Sequence, residues 1–358
     1  GGAGSTIWLQ GIEELVGSRG RDRVTLGDQG NNITVSGLET LIGGRGLDQV
    51  TLAGGGATLS VEGIESLIGG AGTDFVFTGT VGSSFWARGI DVLVGGSGVD
   101  AVRLADGGNS LLVRGLETLI GGDGIDIATI GNGGATMLVS GIETLIGGAS
   151  REVITLGSQG GLIRVSGVET LTGGSGADIV TVADGKAIRF EGGAGGDQIT
   201  LGTANAADKI VYGTDADGAA AGANTGFDRI TNFQTALDSL TLVGSLRSQL
   251  DRNGDGIVQG ADRTTGQIDM ASDEVVRLTT TAGSLTDDSL IAIRTAIGAL
   301  KNPRAGGSVM VLASDDTDTG VFVVTKTNDD QSIASGEIKL LGIVSNARLG
   351  TGNITFGG

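Results

Sequence analysis

The sequence contains no cysteine and no histidine among its 358 residues. The absence of cysteine excludes a disulfide framework and any thiolate metal site. The absence of histidine removes the usual general base, the Ser-His-Asp type of triad and the commonest transition-metal ligand. We therefore predict that the protein is not an enzyme.

Basic residues and long apolar runs are also scarce. Asp and Glu total 41 against 23 Lys and Arg, which gives a formal net charge of −18 and a pI of 4.3. This charge has the wrong sign for binding nucleic acid or anionic lipid, so we expect cations as partners. No apolar run reaches about 18 residues, so no transmembrane segment is predicted. Residues 1–6 begin within a repeat and resemble no signal peptide, so we expect a fragment or a processed form.

Glycine is abundant, with 70 copies, whereas aromatic residues make up only 3% of the chain. Such a composition cannot build an ordinary large core, so a repetitive architecture must replace it. A twelve-residue segment recurs every 26 residues, at 37–48, 63–74, 89–100, 115–126 and 167–178, with looser copies at 11–22 and 141–152. Glycine repeated this strictly marks positions that need a positive φ or a close approach between chains.

Short alternating segments rich in Val, Ile, Leu and Thr lie between the glycines, such as 33–36 and 48–52. They predict strands of about five residues, whereas the glycine density excludes helix here. We predict one 26-residue coil per repeat, with two or three strands, stacked on the next coil at about 4.8 Å. About seven coils fill residues 1–203, and the change of composition after Leu201 predicts a separate domain over 204–358.

Six of the glycine turns share the pattern Gly-Gly-x-Gly-x-Asp-x-U-x, in which U is apolar, and begin at Gly43, Gly69, Gly95, Gly121, Gly173 and Gly192. This pattern resembles the nonapeptide of RTX (repeats-in-toxin) proteins. The resemblance implies an all-β, right-handed parallel β-solenoid that binds Ca²⁺ through the Asp carboxylate and the carbonyls of the turn. The implied ligands are Asp22, Gly43, Arg45, Asp48, Gly69, Ala71, Asp74, Gly95, Ser97, Asp100, Gly121, Asp123, Asp126, Gly173, Ser175, Asp178, Gly192, Ala194 and Asp197.

The aspartates of adjacent coils would repel each other if their carboxylates stacked about 4.8 Å apart, by about 0.9 kcal/mol per pair even in water. We therefore expect a ladder of calcium ions on that side. The nine residues before each motif resemble degenerate nonapeptides and carry a second series of acids, such as Glu39 and Glu65. These acids either bind a second ion ladder, or they accept hydrogen bonds from turn amides or face solvent. Asp22 and Glu152 follow divergent turns, where Arg151 is an alternative source of positive charge.

A different calcium motif spans Asp251–Asp262, with oxygen ligands expected from Asp251, Asn253, Asp255, the Ile257 carbonyl, Gln259 and Asp262. Glycine at the sixth place completes the pattern of an EF-hand-like loop. The final Asp in place of Glu resembles dockerin-type loops. The segment Lys326–Glu337 has the same outline but carries Lys326 at the first ligand position and Gln331 at the glycine position, so we interpret it as a decayed loop.

The rest of residues 204–358 predicts a small α+β domain. A helix is expected over 286–300, with Thr286 as its N-cap and its apolar face on strands at 308–312 and 320–325. Segments 227–233 and 237–242 resemble the region that closes many RTX rolls, which predicts a capping strand pair. Residues 338–356 resemble the C-terminal region of type I secreted proteins.

Our leading hypothesis is a secreted, calcium-binding structural protein of the bacterial cell surface, of the surface-layer, filament or adhesin type. It would leave the cell through a type I exporter, fold on binding Ca²⁺ outside and self-assemble. The alternative is the calcium-dependent export and folding module of a secreted enzyme such as a protease or lipase. More repeats upstream would favour the first, and a catalytic domain upstream the second.

Overall fold

The computed structural model describes residues 4–183, 185–220, 225–287 and 290–357. The chain is all-β with few helices, and its main architecture is a parallel β-solenoid. It divides into two compact units, an N-terminal unit of residues 1–155 and 162–168 and a C-terminal unit of residues 156–161 and 169–358.

Short strands follow one another along the whole chain. Strands β1 to β19 are Thr6–Leu9, Glu14–Val16, Arg23–Leu26, Asn32–Ser36, Thr40–Ile42, Gln49–Leu52, Thr58–Glu62, Ser66–Ile68, Phe75–Thr78, Ser84–Arg88, Val92–Val94, Ala101–Leu104, Ser110–Arg114, Thr118–Ile120, Ile127–Ile130, Ala135–Ser140, Thr144–Ile146, Glu152–Leu156 and Leu162–Ser166. Strands β20 to β33 are Thr170–Thr172, Ile179–Val182, Arg189–Glu191, Gln198–Thr200, Lys209–Tyr212, Ala219–Ala220, Asp228–Thr231, Ser239–Leu242, Gly260–Arg263, Val275–Leu278, Ser308–Ser314, Thr319–Thr325, Ile338–Val344 and Ile354–Phe356.

The N-terminal unit contains two parallel sheets, because each strand pairs with the strand two places further along the chain. Odd-numbered strands from β1 to β19 form one sheet. Even-numbered strands from β2 to β16 form the other. One coil of the solenoid therefore consists of two strands and the two turns that join them.

Alternation along each strand divides the side chains between core and surface, as the sequence predicts. In β4, Ile33 and Val35 are only 1% and 2% exposed, whereas Asn32, Thr34 and Ser36 lie on the outer face. From β3 onward, the strands of both sheets in this unit contribute buried apolar residues, most of them Val, Leu and Ile, so the core runs along the stacked coils.

The predicted length of one coil is wrong. Thr6 pairs with Arg23, Arg23 with Thr40 and Thr40 with Ser60, which are offsets of 17, 17 and 20 residues rather than 26. Each 26-residue repeat contains three strands, as in β3 to β5, whereas a coil uses two. One repeat therefore makes one and a half coils, and the same motif appears on opposite sides of the solenoid in successive repeats.

Both reasons for strictly repeated glycine are confirmed in the turns. Gly37 and its equivalents open the short turns with a positive φ, which is 63° at Gly37. Gly121 instead lies against the next coil, where an added Cβ would be 1.7 Å from the Gly141 carbonyl oxygen. A side chain at either kind of position would force the backbone to move.

Parallel stacking also organises the C-terminal unit. Strands β21, β23, β26 and β32 form one parallel stack, and β20, β22, β24, β27 and β33 form another. The predicted pairing of 227–233 with 237–242 is wrong, because β26 and β27 belong to different stacks. Both stacks also cross the domain boundary that the sequence predicts at 203/204.

Beyond the parallel stacks, β30, β31 and β32 pair antiparallel, while β28, β29 and β30 pair in parallel. Helix α1 spans Gly244–Leu250 and α2 spans Ile291–Ile297. Ile293 and Ile297 of α2 share a buried cluster with residues of β30 and β31, as predicted. No helix in the described ranges is long and apolar enough to cross a membrane.

Helix α2 is shorter than the predicted 286–300. Leu290 precedes it with a left-handed φ of 49°, which prevents the helix from extending backwards through that residue. The side chain of Asp287, not Thr286, accepts the hydrogen bond from the Ala292 amide, at 3.0 Å. Residues 288 and 289 of the predicted helix lie outside the described residues.

Candidate metal centre

The aspartate that ends each glycine turn of the N-terminal unit is buried. Asp48 is 1% exposed, and Asp74, Asp100 and Asp126 are fully buried. In each turn the Oδ2 atom accepts a hydrogen bond from the amide four residues earlier, at 2.7 to 2.9 Å. The glycine turn thus brings its own N–H groups onto the carboxylate.

The other carboxylate oxygen is bonded to the preceding coil. Asn31 donates from Nδ2 to Asp48 Oδ1 at 2.7 Å, and the Ala57 amide donates to Asp74 Oδ1 at 2.8 Å. In Asp100 the Oδ1 atom has no hydrogen-bond partner among the described residues. Most of these carboxylates therefore accept hydrogen bonds from the protein on both oxygen atoms.

The divergent first turn shows the same arrangement. Asp22 accepts hydrogen bonds from the Ser18 amide and hydroxyl, at 2.6 and 3.0 Å, and from the Ser5 amide at 2.7 Å. These bonds, chiefly from the Ser18 and Ser5 amides, hold the pKa of the Asp22 carboxyl below its usual value. This carboxylate is ionised and fully engaged by amide and hydroxyl groups.

The second series of acids accepts hydrogen bonds from turn amides, which is one of the two roles that the sequence left open. Each carboxylate receives the backbone N–H of the aspartate 17 residues before it, at 2.7 to 2.8 Å. The pairs are Glu39 with Asp22, Glu65 with Asp48, Asp91 with Asp74, Glu117 with Asp100 and Glu143 with Asp126. The two acid series are thus hydrogen-bonded to each other in pairs between adjacent coils.

The carbonyls implied as calcium ligands are partly occupied as well. The Ala71 carbonyl accepts from the Gly55 amide at 2.6 Å, and the Asp123 carbonyl accepts from the Gly107 amide at 2.7 Å. The other implied turn residues of this unit bond to neighbouring coils: Gly43, Gly69, Gly95 and Gly121 through their amides, Arg45 through its amide to Asp28, and Ser97 through its hydroxyl to Thr80. These turns are therefore hydrogen-bonded to the neighbouring coils.

The expected ladder of stacked aspartates is wrong for this unit. Asp48 follows an odd-numbered strand, whereas Asp74 follows an even-numbered one, so they lie on opposite sides. Asp48 and Asp100 share a side but are three coils apart, or about 14 Å at roughly 4.8 Å per strand. The repulsion between these aspartates is therefore only about a third of that expected for adjacent coils. The reason is that the repeat holds an odd number of strands.

Stacked aspartates do occur in the C-terminal unit. Asp178 and Asp197 are 19 residues apart, so their turns occupy the same side in adjacent coils. Asp197 Oδ1 accepts from the Asp178 amide at 2.8 Å, and Asp228 Oδ1 accepts from the Asp197 amide at 3.0 Å. All three residues are at most 3% exposed. Asp197 Oδ2 has no hydrogen-bond partner among the described residues.

Burial without a counter-charge disfavours ionisation of these carboxyls. It raises the pKa of Asp197 to about 6, with Asp178 and Asp217 adding repulsion. Burial also raises the pKa of Asp178 and, together with the charge of Asp197, raises that of Asp228 well above the usual range. A bound cation would remove this penalty.

The glycine turns around this stack contribute the remaining implied ligands. Gly173 donates its amide to the Glu191 carbonyl at 2.7 Å, and the Ser175 hydroxyl donates to the Ser158 carbonyl. Ala194 is exposed. Gly192 is buried against Asp197, and a Cβ added to Gly192 would lie 2.1 Å from Asp197 Oδ2. Only glycine leaves room for that oxygen.

The loop that follows α1 has the local geometry of a calcium loop. Asp251 occupies the first ligand position, and its side chain is 3% exposed. Its Oδ2 atom accepts from the Gly256 amide at 3.2 Å and from Arg247 Nε at 3.3 Å. Its Oδ1 atom is buried and has no hydrogen-bond partner among the described residues. An unpaired buried carboxylate oxygen is costly, and a metal ion is the partner that this motif provides for.

The middle of the loop brings further oxygen atoms together. Asn253 Oδ1 accepts from the Asp255 amide at 3.1 Å, and Asp255 Oδ1 accepts from the Ile257 amide at 2.7 Å. The Nε2 atom of Gln259 lies 3.4 Å from both Asp255 Oδ2 and the Ile257 carbonyl oxygen. The side-chain amide of Gln259 therefore lies between oxygen atoms of the fifth and seventh positions.

The predicted last ligand is in a different place. Asp262 lies in β28 and is held by Arg277, whose Nε donates to Oδ1 at 2.9 Å. Glu274 is buried instead beside the loop, where it accepts from the Gln259 amide at 2.9 Å and the Arg252 amide at 3.3 Å. The sequence carries no local signal for Glu274, because only the pairing of β28 with β29 brings it to the loop.

Within the described ranges, no cluster of three or more Asp, Glu, Cys or His side chains is arranged to hold a metal ion by itself. An ion at the Asp251 loop would therefore depend on amide and backbone carbonyl oxygens in addition to carboxylates. In comparisons with known proteins, no family model, no curated protein and no solved structure matches this chain.

Proposed function

We propose that this chain is a calcium-binding structural protein of the bacterial cell surface, of RTX type, which leaves the cell by type I secretion and folds fully in external calcium. The observation that carries the calcium proposal is the buried Oδ1 atom of Asp251. It has no partner among the described residues, while Gly256 orients the other oxygen of the same carboxylate. A loop that leaves one carboxylate oxygen free in this way is prepared for a cation.

Calcium binding is concentrated in the C-terminal unit under this proposal. The Asp251 loop is the first site, and the stacked pair Asp178 and Asp197 is the second. In the N-terminal unit most turn carboxylates already have two sets of hydrogen-bond donors. We therefore propose that those coils fold without calcium, in contrast to the ion ladder that the resemblance implies.

A structural role follows from what the coils offer chemically. The outer faces of strands such as β4 and β7 carry Asn, Thr and Ser, and the acids of the turns are used as acceptors for backbone amides. Groups engaged in this way hold coils together and are unavailable as acids or bases. A column of repeated coils with a calcium-stabilised C-terminal unit suits a surface layer, filament or adhesin.

Calorimetric titration of the whole chain with Ca²⁺ tests the first site. Asp251→Asn should lower the number of bound ions by one, because the amide removes the negative charge and one of the two oxygens of the first ligand. Asp262→Ala is the matched control, since Asp262 is half-exposed and paired with Arg277, so the ion count should stay the same. An extracellular affinity of about 10⁻⁴–10⁻³ M is expected. An unchanged stoichiometry in Asp251→Asn would contradict the proposal.

A further inference from the structure

The loop interpreted from sequence as decayed, Lys326–Glu337, is fully ordered around its lysine. Lys326 follows β31, its side chain is 0% exposed, and its backbone pairs with Gly306 and Gly307. A lysine is almost never fully buried unless its ammonium group is paired. The partners of this ammonium group therefore decide what the loop is.

All the partners of the ammonium group are loop oxygens at calcium-ligand positions. Lys326 Nζ donates to Asp330 Oδ1 at 3.0 Å, to the Ser332 carbonyl oxygen and to Glu337 Oε2 at 2.6 Å. Counted from Lys326, these residues are the fifth, seventh and twelfth of the loop. An EF-hand binds calcium through the same three positions, with a backbone carbonyl at the seventh. The ammonium nitrogen thus occupies the place of the ion.

The remainder of the loop shares one side-chain hydrogen bond with the Asp251 loop. Asn328 Oδ1 accepts from the Asp330 amide at 3.1 Å, as Asn253 does from the Asp255 amide. Glu337, which ends the loop, accepts from both the amide and the hydroxyl of Thr327 at 2.7 Å. The loop therefore keeps the turn of a calcium site although its first residue cannot ligate a metal.

The charges of the loop are tightly matched. Burial lowers the pKa of Lys326, but the carboxylates of Glu337 and Asp330 outweigh it, so the pKa is raised overall. Burial likewise opposes ionisation of Glu337, yet Lys326 and Thr327 lower its pKa to about 2. Both groups remain charged at all physiological pH values.

We propose that the loop 326–337 is a calcium loop in which a tethered ammonium group permanently replaces the ion, and that it becomes a calcium site once Lys326 is replaced by an oxygen ligand. Asp330, the Ser332 carbonyl and Glu337 supply the remaining ligands. This inference depends on the contacts of Lys326 alone and stands whether or not the Asp251 loop binds calcium.

The test places an oxygen ligand at position 326 in a variant whose Asp251 loop can no longer bind calcium. Asp251→Ala and the double variant Asp251→Ala with Lys326→Asp are titrated calorimetrically with Ca²⁺ alone. The double variant should bind one ion more than its parent, with a dissociation constant of about 10⁻⁴–10⁻³ M. Its thermal midpoint should rise when about 10 mM calcium, well above that dissociation constant, replaces chelator, by more than that of the parent.

Lys339→Asp in the same background is the matched control. Lys339 pairs with Asp215 at 3.0 Å but has no ring of loop oxygens around it, so this variant should gain no ion. Lys326→Asn adds an oxygen without a third negative charge and guards against failure to fold, and it should gain a weaker site. The proposal is overturned if neither Lys326 variant gains an ion, or if Lys339→Asp gains the same one.

Discussion

Replacing Asp197 by asparagine should stabilise the C-terminal unit in chelator and destabilise it in calcium. Asp197 is buried, its Oδ2 atom lacks a partner among the described residues, and its pKa is raised from 3.8 to about 6. A carboxyl whose folded pKa is raised contributes stability below about pH 4, and that stability is lost as the pH rises through 6. Asparagine carries no charge and so escapes this loss.

The shift sets the size of the effect. A rise from 3.8 to about 6 corresponds to a penalty of about 3 kcal/mol at pH 8, since one pKa unit is worth about 1.4 kcal/mol. The amide nitrogen that the substitution introduces would be buried without an acceptor, which costs about 1 kcal/mol or more. Asp197→Asn should therefore gain about 1–2 kcal/mol at pH 8 in chelator and lose up to about 1 kcal/mol at pH 4, where little ionisation penalty is left to offset the buried amide.

If Asp197 is a calcium ligand, Asp197→Asn should destabilise the folded protein in calcium instead of stabilising it. An ion present at about 100 times its dissociation constant stabilises the folded state by about 2.7 kcal/mol, and Asp197→Asn would forgo this. The assay is hydrogen exchange of the β21 and β23 amides at pH 8, in chelator and in calcium, together with calorimetric unfolding at both pH values. Asp126→Asn is the control, because both oxygens of Asp126 accept amide hydrogen bonds. Loss of this carboxylate should destabilise the folded protein under all conditions.

A mutant effect that is independent of pH would show that Asp197 is already neutral or paired. A stabilisation that persists unchanged in calcium well above the dissociation constant would remove Asp197 from the metal site. Either result would refute the reasoning.

Two further predictions concern the N-terminal unit. Gly121→Ala should lower the free energy of unfolding by about 1–3 kcal/mol, because its Cβ would overlap the Gly141 carbonyl. The control is Gly133→Ala, whose Cβ would meet nothing within 4 Å and which should change the free energy by less than about 0.5 kcal/mol. Denaturant titrations measure both. Excess chelator should leave the hydrogen-exchange protection of the β3 to β14 amides unchanged, because amide donors and not ions satisfy most turn carboxylates. A general loss of protection would show instead that bound ions hold these coils together.

The sequence predicts strands and turns well because their signals are local. Alternating Ile33 and Val35, and glycine at position 37 with its positive φ, each follow from a few neighbouring residues. The length of a coil does not follow from the repeat length, because a coil of 26 residues with two or three strands is equally compatible with the sequence. Only the pairing of Thr6 with Arg23 decides it.

The residues proposed as metal ligands also differ in how far the sequence predicts them. Asp251, Asn253 and Asp255 are recognisable by spacing, and the structure arranges them as a loop. Glu274 is brought to that loop by strand pairing, which no local pattern contains. Lys326 marks a lost ligand in the sequence, but that its ammonium group folds back into the loop depends on a buried side-chain conformation.

The two loops are also joined through the start of β30. Arg252, within the Asp251 loop, donates to the Ser308 carbonyl at 3.2 Å, and the Ser308 hydroxyl lies 2.9 Å from that of Thr325, the residue before Lys326. An ion bound in the first loop would therefore influence β30. Its partner strand β31 is already held at its end by the buried ammonium group of Lys326.

The three strands of each repeat have a consequence for how this solenoid can change in length. Removing residues 49–74 would delete one and a half coils, and every turn between that point and residue 155 would move to the opposite side. Removing residues 49–100 would delete three whole coils and leave the later turns on their original sides. A surface whose partners recognise one side would thus tolerate gain or loss of repeats only in pairs, so its natural unit of growth is 52 residues, twice the repeat visible in the sequence.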